Sequence, residues 1–256
     1  MKQRGEKIVA LTAYDALFAR MVDEGGVDVV LVGDSVGQVI LGLDSTLPVT
    51  IEDMIHHARA VRRGVKHALV VVDMPFMSFQ VSPDETVRNA GRILKETGAE
   101  AVKLEGGDEE AARHVARLVH AGIPVMGHIG LTPQSVHALG GYRVQGRDAA
   151  NAERLEDEAM RLQEAGVFAI VLELLPAALA TEITTASKVP TIGIGAGPFC
   201  DGQVLVLPDM LGLNDSFRPK FLRRFAELGA DARQGIAAYV SAVRSGDYPA
   251  DEHSFE

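Results

Sequence analysis

Lys103 and Glu105 are the pair of charged residues in this chain that most clearly indicates chemistry. They end a short apolar run and are followed at once by two glycines, Gly106 and Gly107. Alternate side chains of a β-strand share a face, so the two charges would point the same way, and the glycines favour a turn after them. An ammonium and a carboxylate at a strand end suit the rim of a barrel of parallel strands, where active sites lie. A structural ion pair would leave the same pattern.

Further polar residues follow the other apolar runs of the chain. They are Asp34 and Ser35 after the second run, Asp73 at the end of the third, His128 after the fifth and Glu173 at the end of the sixth. Four carboxylates, a lysine and a histidine would then converge on one mouth. Such a cluster implies a bound cation or shifted protonation states, and its oxygen donors favour Mg²⁺ before Mn²⁺.

Most of these residues also have a structural interpretation. Asp34 could cap a helix, Asp73 could form a turn, and His128 could be a packed or loop histidine. Glu173 differs because it lies inside the apolar stretch 170–175. A carboxylate in that setting must be paired or have a raised pKa, which is how a general base or acid is made.

The elements that would position these residues alternate between short apolar runs and amphipathic helical stretches. The runs are residues 8–12, 29–33, 69–73, 101–104, 124–127, 169–173, 191–194 and 204–207. Near-continuous apolar strands alternating with helices indicate a parallel sheet covered on its outer face. Eight such units predict a closed (β/α)₈ barrel, an α/β fold.

Helix signals support this arrangement. Thr50 is the expected N-cap of a helix that begins at Ile51, Pro83 occupies a first-turn position after Ser82, and a helix is expected over 149–165. We also expect a helix over 109–120, and two helices in the tail, within 219–244, that pack on the barrel or on a neighbouring subunit.

Three glycine-rich segments depart from the regular pattern or invite a ligand. Residues 128–148 form a long connection that could act as a lid, and the link 196–203 is too short for a full helix. The glycines of 193–197 could bind phosphate, but close backbone approach to substrate or a tight turn explains them equally well.

Composition limits the classes of function. The chain has 256 residues, of which 47% are hydrophobic and 23% charged, without a shift that marks a boundary, so one domain over 1–256 is expected. The net charge of −10 argues against nucleic acid or anionic membranes as partners. The single Cys200 excludes an internal disulfide and a thiolate metal site. The polar N-terminus and the lack of a long apolar run lead us to expect a cytoplasmic protein.

Several segments, in this order, resemble the ketopantoate hydroxymethyltransferase (3-methyl-2-oxobutanoate hydroxymethyltransferase) family nearly end to end. They are LTAYD at 11–15, VGDS at 32–35, PVT at 48–50, DMPF at 73–76, VKLEGG at 102–107, GHIGLTPQ at 127–134, LE at 172–173 and IGIGAG at 192–197. The resemblance implies a single TIM barrel of the phosphoenolpyruvate/pyruvate type. It also implies a homodecamer.

The resemblance implies a reaction and residue roles as well. The reaction is the Mg²⁺-dependent transfer of a hydroxymethyl group from 5,10-methylenetetrahydrofolate to 3-methyl-2-oxobutanoate. It gives ketopantoate (2-dehydropantoate) through a stabilised enolate, the first step of pantothenate biosynthesis. Asp34, Asp73 and Glu105 match the metal site, and Glu173 matches the proton acceptor. Ser35 and Lys103 match substrate contacts, a role that Asp34 and Asp73 share, and His128 is a possible addition to the pocket.

Three alternatives remain open at the level of sequence. The first is another Mg²⁺-dependent lyase or isomerase of 2-oxo acids with the same type of barrel, which would not depend on folate. The second is an aldolase that forms a Schiff base on Lys103, which borohydride would trap with substrate. The third is a non-catalytic barrel that binds an oxo acid, against which the costly carboxylate of Glu173 argues.

Overall fold

Parallel strands close into a barrel in the part of the chain that the structure, a computed structural model, describes, namely residues 1–215 and 217–255. Each strand pairs with the next, and the eighth pairs with the first. The strands are β1 (Ile8–Thr12), β2 (Val29–Val32), β3 (Leu69–Asp73), β4 (Ala101–Glu105), β5 (Val125–Gly130), β6 (Ala169–Glu173), β7 (Thr191–Ile194) and β8 (Gly202–Leu205). The expected (β/α)₈ barrel is confirmed.

Helices follow the strands and cover the outside of the barrel. They are α1 (Ala16–Glu24), α2 (Val36–Val39), α3 (Ile51–Gly64), α4 (Pro83–Thr97), α5 (Glu109–His120), α6 (Ala149–Ala165) and α7 (Ala177–Ala186). The expected caps are present: Thr50 and Asp53 form a capping box at α3, and the Ser82 side chain caps α4 next to Pro83. No helix within the described ranges is long and apolar enough to cross a membrane.

The interior of the barrel is an apolar layer built from every second residue of the strands. Its buried members are Ile8, Ala10, Val29, Leu31, Val71, Ala101, Met126, Ala169, Val171, Ile192 and Val204. The intervening residues of β3 and β4, such as Val72 and Val102, are buried on the outer face under the helices. Each fully buried aliphatic side chain contributes about 1.5–3 kcal/mol to folding.

Along each of two strands, the inward-facing residues change from apolar to charged at the carboxyl end. Asp73 follows Val71, and Glu173 follows Val171, two positions further along their strands. The register places Asp73 beside Lys103 and Glu105 beside His128. The apolar layer therefore forms the floor on which the charged residues stand.

The connections differ in part from the pattern expected from sequence. The run 124–127 had predicted that His128 follows the fifth strand. β5 extends to Gly130, so His128 lies within the strand. A 3₁₀ turn, Pro133–Ser135, follows, and the remaining connection leads to α6, which covers the predicted 149–165. No helix lies between β7 and β8, as expected for so short a link. β8 ends at Leu205, two residues before the predicted limit.

The chain divides into two compact units, Met1–Val206 and Leu207–Glu256. The second contains α8 (Leu207–Met210), α9 (Leu228–Ser245) and a 3₁₀ turn, Asp251–His253. The expectation of one domain over 1–256 stays a prediction, as does the packing of the tail.

The prediction of two helices within 219–244 is wrong for the first of them. Residues 219–227 form turns and irregular backbone, and one helix, α9, follows. The backbone N–H groups of Phe225 and Leu228 donate to the carbonyls of Met210 and Leu211. Hydrogen bonds to an earlier segment therefore replace those of a helix.

Candidate active site

The residues singled out in the sequence meet at the carboxyl ends of the strands. Asp34 and Ser35 lie between β2 and α2, Asp73 ends β3, Lys103 and Glu105 belong to β4, His128 belongs to β5, and Glu173 ends β6. Asp34, Asp73, Lys103, Glu105 and His128 are buried. Glu173 keeps 18% of its side chain exposed, so it is open to a molecule entering the mouth.

Lys103 forms a buried ion pair with Asp73 on the neighbouring strand. Its Nζ lies 2.9 Å from Oδ1 of Asp73, and both side chains are about nineteen-twentieths buried. Burial alone would lower the pKa of Lys103, but Asp73, Glu105 and Asp34 together raise it. Burial raises the pKa of Asp73 in spite of the ammonium. Lys103 is therefore a charged group among carboxylates, and its ion-pair partner is Asp73, not Glu105.

The loop after β2 closes onto this pair at Gly33. Oδ2 of Asp73 accepts a hydrogen bond from the backbone N–H of Asp34 at 3.0 Å. A Cβ on Gly33 would lie 2.8 Å from Oγ of Ser35 and 3.5 Å from Oδ2 of Asp73. A side chain at position 33 would therefore displace the Ser35 hydroxyl, whereas Asp73 would stay at an ordinary contact distance.

Asp34 and Glu105 are the two other carboxylates of the cluster. Burial, followed by the charges of Asp73 and Glu105, raises the pKa of Asp34 well above its usual value. Burial would also raise the pKa of Glu105, but His128, Lys103 and the backbone N–H of Gln134 together outweigh burial and lower it. Both carboxylates accept hydrogen bonds from Gln134. The side-chain amide of Gln134 donates to Asp34, and the backbone N–H of Gln134 donates to Glu105.

His128 lies between the two glutamates. Its Nε2 is 3.1 Å from Oε2 of Glu173, and its Nδ1 is 3.5 Å from Oε1 of Glu105 and 3.2 Å from Nζ of Lys103. Burial and Lys103 lower the pKa of His128, but the two glutamates outweigh them and raise it to about 9. His128 thus lies between Glu105 and Glu173, and Glu173 has a close polar partner, as one of the two sequence alternatives required.

The backbone around Glu173 is fixed in an uncommon conformation. Leu174, the next residue, has a φ of 49°, which a non-glycine side chain rarely adopts and which costs about 1–3 kcal/mol. Hydrogen bonds hold it: Leu174 N–H donates to Ile194, the Glu173 carbonyl accepts from Leu131, and the Leu174 carbonyl accepts from Gln145. The turn ends the strand at Glu173 and leaves its carboxylate at the mouth.

Ser35 is held by a tyrosine that the sequence interpretation had not given a role. The hydroxyls of Tyr14 and Ser35 are 2.8 Å apart. Tyr14 is buried after β1, and its carbonyl lies 2.7 Å from Nδ1 of His57 on α3. The motif at 11–15 contains Tyr14, but only the fold brings it to Ser35. Gln134 was missed for the same reason, although it ends the motif at 127–134.

The glycines at 193–197 serve close packing. Gly195 and Gly197 have φ values of 64° and 80°, and a Cβ on Gly197 would lie 2.5 Å from Cβ of Ala177. These contacts favour the tight-turn interpretation over phosphate binding.

The carboxylate cluster suits a divalent cation in donor type and charge. Three carboxylates face the ammonium of Lys103 and the imidazole of His128, and the raised pKa of Asp34 and of Asp73 indicates that the site favours further positive charge. Within residues 1–215 and 217–255, no three Asp, Glu, His or Cys side chains form a ready ligand set. Mg²⁺ is commonly held by one or two carboxylates with water and substrate oxygens, so the cluster fits such a site with fewer direct protein ligands than three.

Comparison with known proteins identifies sequence relatives over the whole chain. A model of the ketopantoate hydroxymethyltransferase family matches residues 1–251. The chain is 57% identical over 255 residues to a 3-methyl-2-oxobutanoate hydroxymethyltransferase of Carboxydothermus hydrogenoformans, covering 100% of this chain and 92% of the relative. A protein of the same name from Syntrophus aciditrophicus is 55% identical, with coverage of 100% and 93%.

Solved structures share the fold at low sequence identity. 2,3-Dimethylmalate lyase, a member of the PEP mutase/isocitrate lyase superfamily, superposes with a TM-score of 0.62 at 16% identity, over 99% of this chain and 88% of that chain. Phosphonopyruvate hydrolase in complex with oxalate and Mg²⁺ gives 0.63 at 12% identity, over 98% and 89%. These structures share with the chain the closed barrel of parallel strands that the sequence predicted.

Proposed function

Because the chain belongs to the ketopantoate hydroxymethyltransferase family, we propose that it transfers a hydroxymethyl group from 5,10-methylenetetrahydrofolate to 3-methyl-2-oxobutanoate. The product would be ketopantoate, the first intermediate committed to pantothenate. The observation that carries the proposal is the 57% identity over the full chain to an enzyme named for this reaction. The charged cluster at the barrel mouth supplies the groups that the chemistry needs.

Binding of the oxo acid requires a cation and a hydroxyl at the mouth. Lys103 provides a buried ammonium, whose charge the surrounding carboxylates maintain. Ser35 provides a hydroxyl whose position Tyr14 fixes. Together they can orient the substrate carboxylate so that C3 faces Glu173, which lies on the far side of His128 from Glu105.

Mg²⁺ bound among Asp34, Asp73 and Glu105, with one or two of them as direct ligands, would polarise the 2-oxo group and stabilise the negative charge that would develop when C3 loses its proton. The donor types and the raised pKa of the two aspartates support this assignment. A protein with the same fold, phosphonopyruvate hydrolase, has been solved with oxalate and Mg²⁺, and oxalate is a small dicarboxylate comparable to a 2-oxo acid.

Glu173 is the group in this site that can take the C3 proton. It is the most exposed of the charged side chains at the mouth, and its Oε2 lies 3.1 Å from Nε2 of His128. C3 then forms a C–C bond to the one-carbon unit of the folate, which the protein positions. One water molecule is consumed to supply the hydroxyl oxygen of the product, and tetrahydrofolate leaves.

The charge of Lys103 argues against the Schiff-base alternative. A nucleophilic lysine needs a lowered pKa, and here three carboxylates raise it. The lyase alternative makes no use of folate, so dependence on that co-substrate separates it from the proposed transfer.

Assembly as a homodecamer and a cytoplasmic location belong to the same proposal. The family resemblance implies the decamer, and the exposed apolar face of α9 supports assembly.

The decisive experiment measures ketopantoate formation by the purified protein. We expect turnover with 3-methyl-2-oxobutanoate, methylenetetrahydrofolate and Mg²⁺, loss of turnover in EDTA, and recovery when Mg²⁺ is added back, because the buried carboxylates repel one another without a cation. The matched control omits only the folate. Product formation without folate, or full activity in metal-free protein, would contradict the proposal.

A further inference from the structure

Gln134 contacts both Asp34 and Glu105. Its side-chain Nε2 donates to Oδ2 of Asp34 at 2.8 Å and to the carbonyl of Met74 at 3.0 Å. Its backbone N–H donates to Oε2 of Glu105 at 2.9 Å. One buried residue after β5 therefore touches a carboxylate after β2, the backbone after β3 and a carboxylate of β4.

The orientation of the Gln134 amide is determined by its neighbours. Asp34 Oδ2 and the Met74 carbonyl are both acceptors, so the atom that faces them must be the NH₂ group with its two donors. The Oε1 atom faces the other way and accepts from Nε2 of Gln80 at 3.3 Å. Both hydrogens of the amide are thus used, and the side chain has one favoured arrangement.

A neutral donor suits this position. A lysine or arginine here would add a positive charge that competes with a bound cation, and an apolar residue would leave a buried carboxylate oxygen without its hydrogen bond, at a cost of about 1–3 kcal/mol. The backbone that carries Gln134 is fixed as well: Pro133 opens the 3₁₀ turn, and Ser135 N–H donates to Thr132 at 2.9 Å. The turn that follows β5 therefore fixes the position of Gln134.

We propose that Gln134 is a positioning residue that orients Asp34 and Glu105 for binding a divalent cation. The inference rests on the proposed function, since it concerns the metal site of that reaction. Gln134 contacts the carboxylates and not Glu173 or Lys103 in the hydrogen bonds given above, so it acts on cation affinity and leaves proton removal to Glu173. Residues that orient metal ligands typically change affinity about 10- to 100-fold when they are replaced.

The test measures Mn²⁺ and Mg²⁺ binding to the substrate-free protein by calorimetry, beside steady-state kinetics. Gln134→Leu removes both side-chain donors, and Gln134→Asn keeps the amide but shortens its reach. We expect the Mn²⁺ dissociation constant to rise about 10- to 100-fold in Gln134→Leu and less in Gln134→Asn. The kcat at saturating Mn²⁺ should return towards that of the wild type, because the reacting groups are intact.

Gln38→Leu is the matched control, since it removes an amide near the same mouth whose weak hydrogen bonds go to Asp44 and Tyr142 and not to the cluster. Its Mn²⁺ affinity should equal that of the wild type. Unchanged affinity in both Gln134 variants, or in Gln134→Asn if Gln134→Leu does not fold, would overturn the proposal. A kcat that stays low at saturating metal would also overturn it. If the wild type shows no folate-dependent turnover, the proposed function is overturned instead. The Mn²⁺ dissociation constants would still decide the role of Gln134.

Discussion

A carboxylate in an apolar strand can be paired or can hold its proton, and Glu173 is paired. His128 lies 3.1 Å from its Oε2, and the pKa of that histidine is raised to about 9 by Glu105 and Glu173. Glu173 therefore has a polar neighbour in His128 and still reaches the mouth, where a general base must meet its substrate. The same partner would lower the basicity of a less exposed carboxylate such as Glu105, which fits a role in binding and not in proton transfer.

Glu173→Gln should stop removal of the C3 proton while preserving the fold. In deuterated water with Mg²⁺ and no folate, the wild type should exchange the C3 proton of 3-methyl-2-oxobutanoate. The glutamine variant cannot accept a proton, so exchange followed by NMR should fall by about 10²-fold or more, with little change in substrate affinity.

Glu156→Gln, an exposed change on α6, is the control for that experiment and should exchange at the wild-type rate. Exchange near the wild-type rate in Glu173→Gln would assign the base to another group. His128 would then be the first residue to test.

At the level of the elements, period-two alternation was enough to predict that Lys103 and Glu105 share a face and that Asp73 and Glu173 end strands. It could not predict that Lys103 pairs with Asp73, because that contact depends on the register between β3 and β4. The prediction that His128 follows the fifth strand was wrong for a related reason, since the strand continues past Gly127 and ends at Gly130. Gln134 was missed because its partners lie 100 and 29 positions away in sequence.

A buried carboxylate outside the charged cluster, Asp23 at the end of α1, fixes the entry to β3. It accepts hydrogen bonds from the backbone N–H groups of Lys66, His67 and Ala68, at 2.8–3.0 Å. Burial alone would raise the pKa of Asp23, but these donors lower it well below its usual value. A depressed folded-state pKa means that the carboxylate stabilises the fold above its unfolded pKa, about 3.9, and that the stabilisation is lost as the pH falls below that value.

Asp23→Asn should therefore lower the free energy of unfolding at pH 7 by about 1–3 kcal/mol, because the amide replaces a charged acceptor of three donors. Urea unfolding at pH 7 and at about pH 3 checks this, and the difference from the wild type should shrink at the lower pH, which lies below the unfolded pKa. Asp157→Asn, exposed on α6, should change little at either pH. A deficit of the same size for Asp23→Asn at both pH values would show that the charge is not what stabilises the fold.

At the level of the whole molecule, α9 differs from the helices of the barrel because it buries only one residue, Gly229. Ile236, Tyr239, Val240 and Val243 recur at helical spacing and are exposed. Ile236, near the middle of α9, is 63% exposed. Contiguous exposed apolar surface of this kind typically marks an interface between proteins.

We therefore expect the protein to form a homo-oligomer, a decamer by the family resemblance, through contacts that include this face of α9. Light scattering should give a mass that is a multiple of the 27.3 kDa of one chain. For the decamer the mass should be ten times that of the chain. Ile236→Glu places a charge in the middle of the apolar face, so it should lower the mass, whereas Gln234→Glu on the opposite face of α9 should leave it unchanged. A monomeric wild type would contradict the assembly, and an unchanged mass for Ile236→Glu would place the interface elsewhere on the chain.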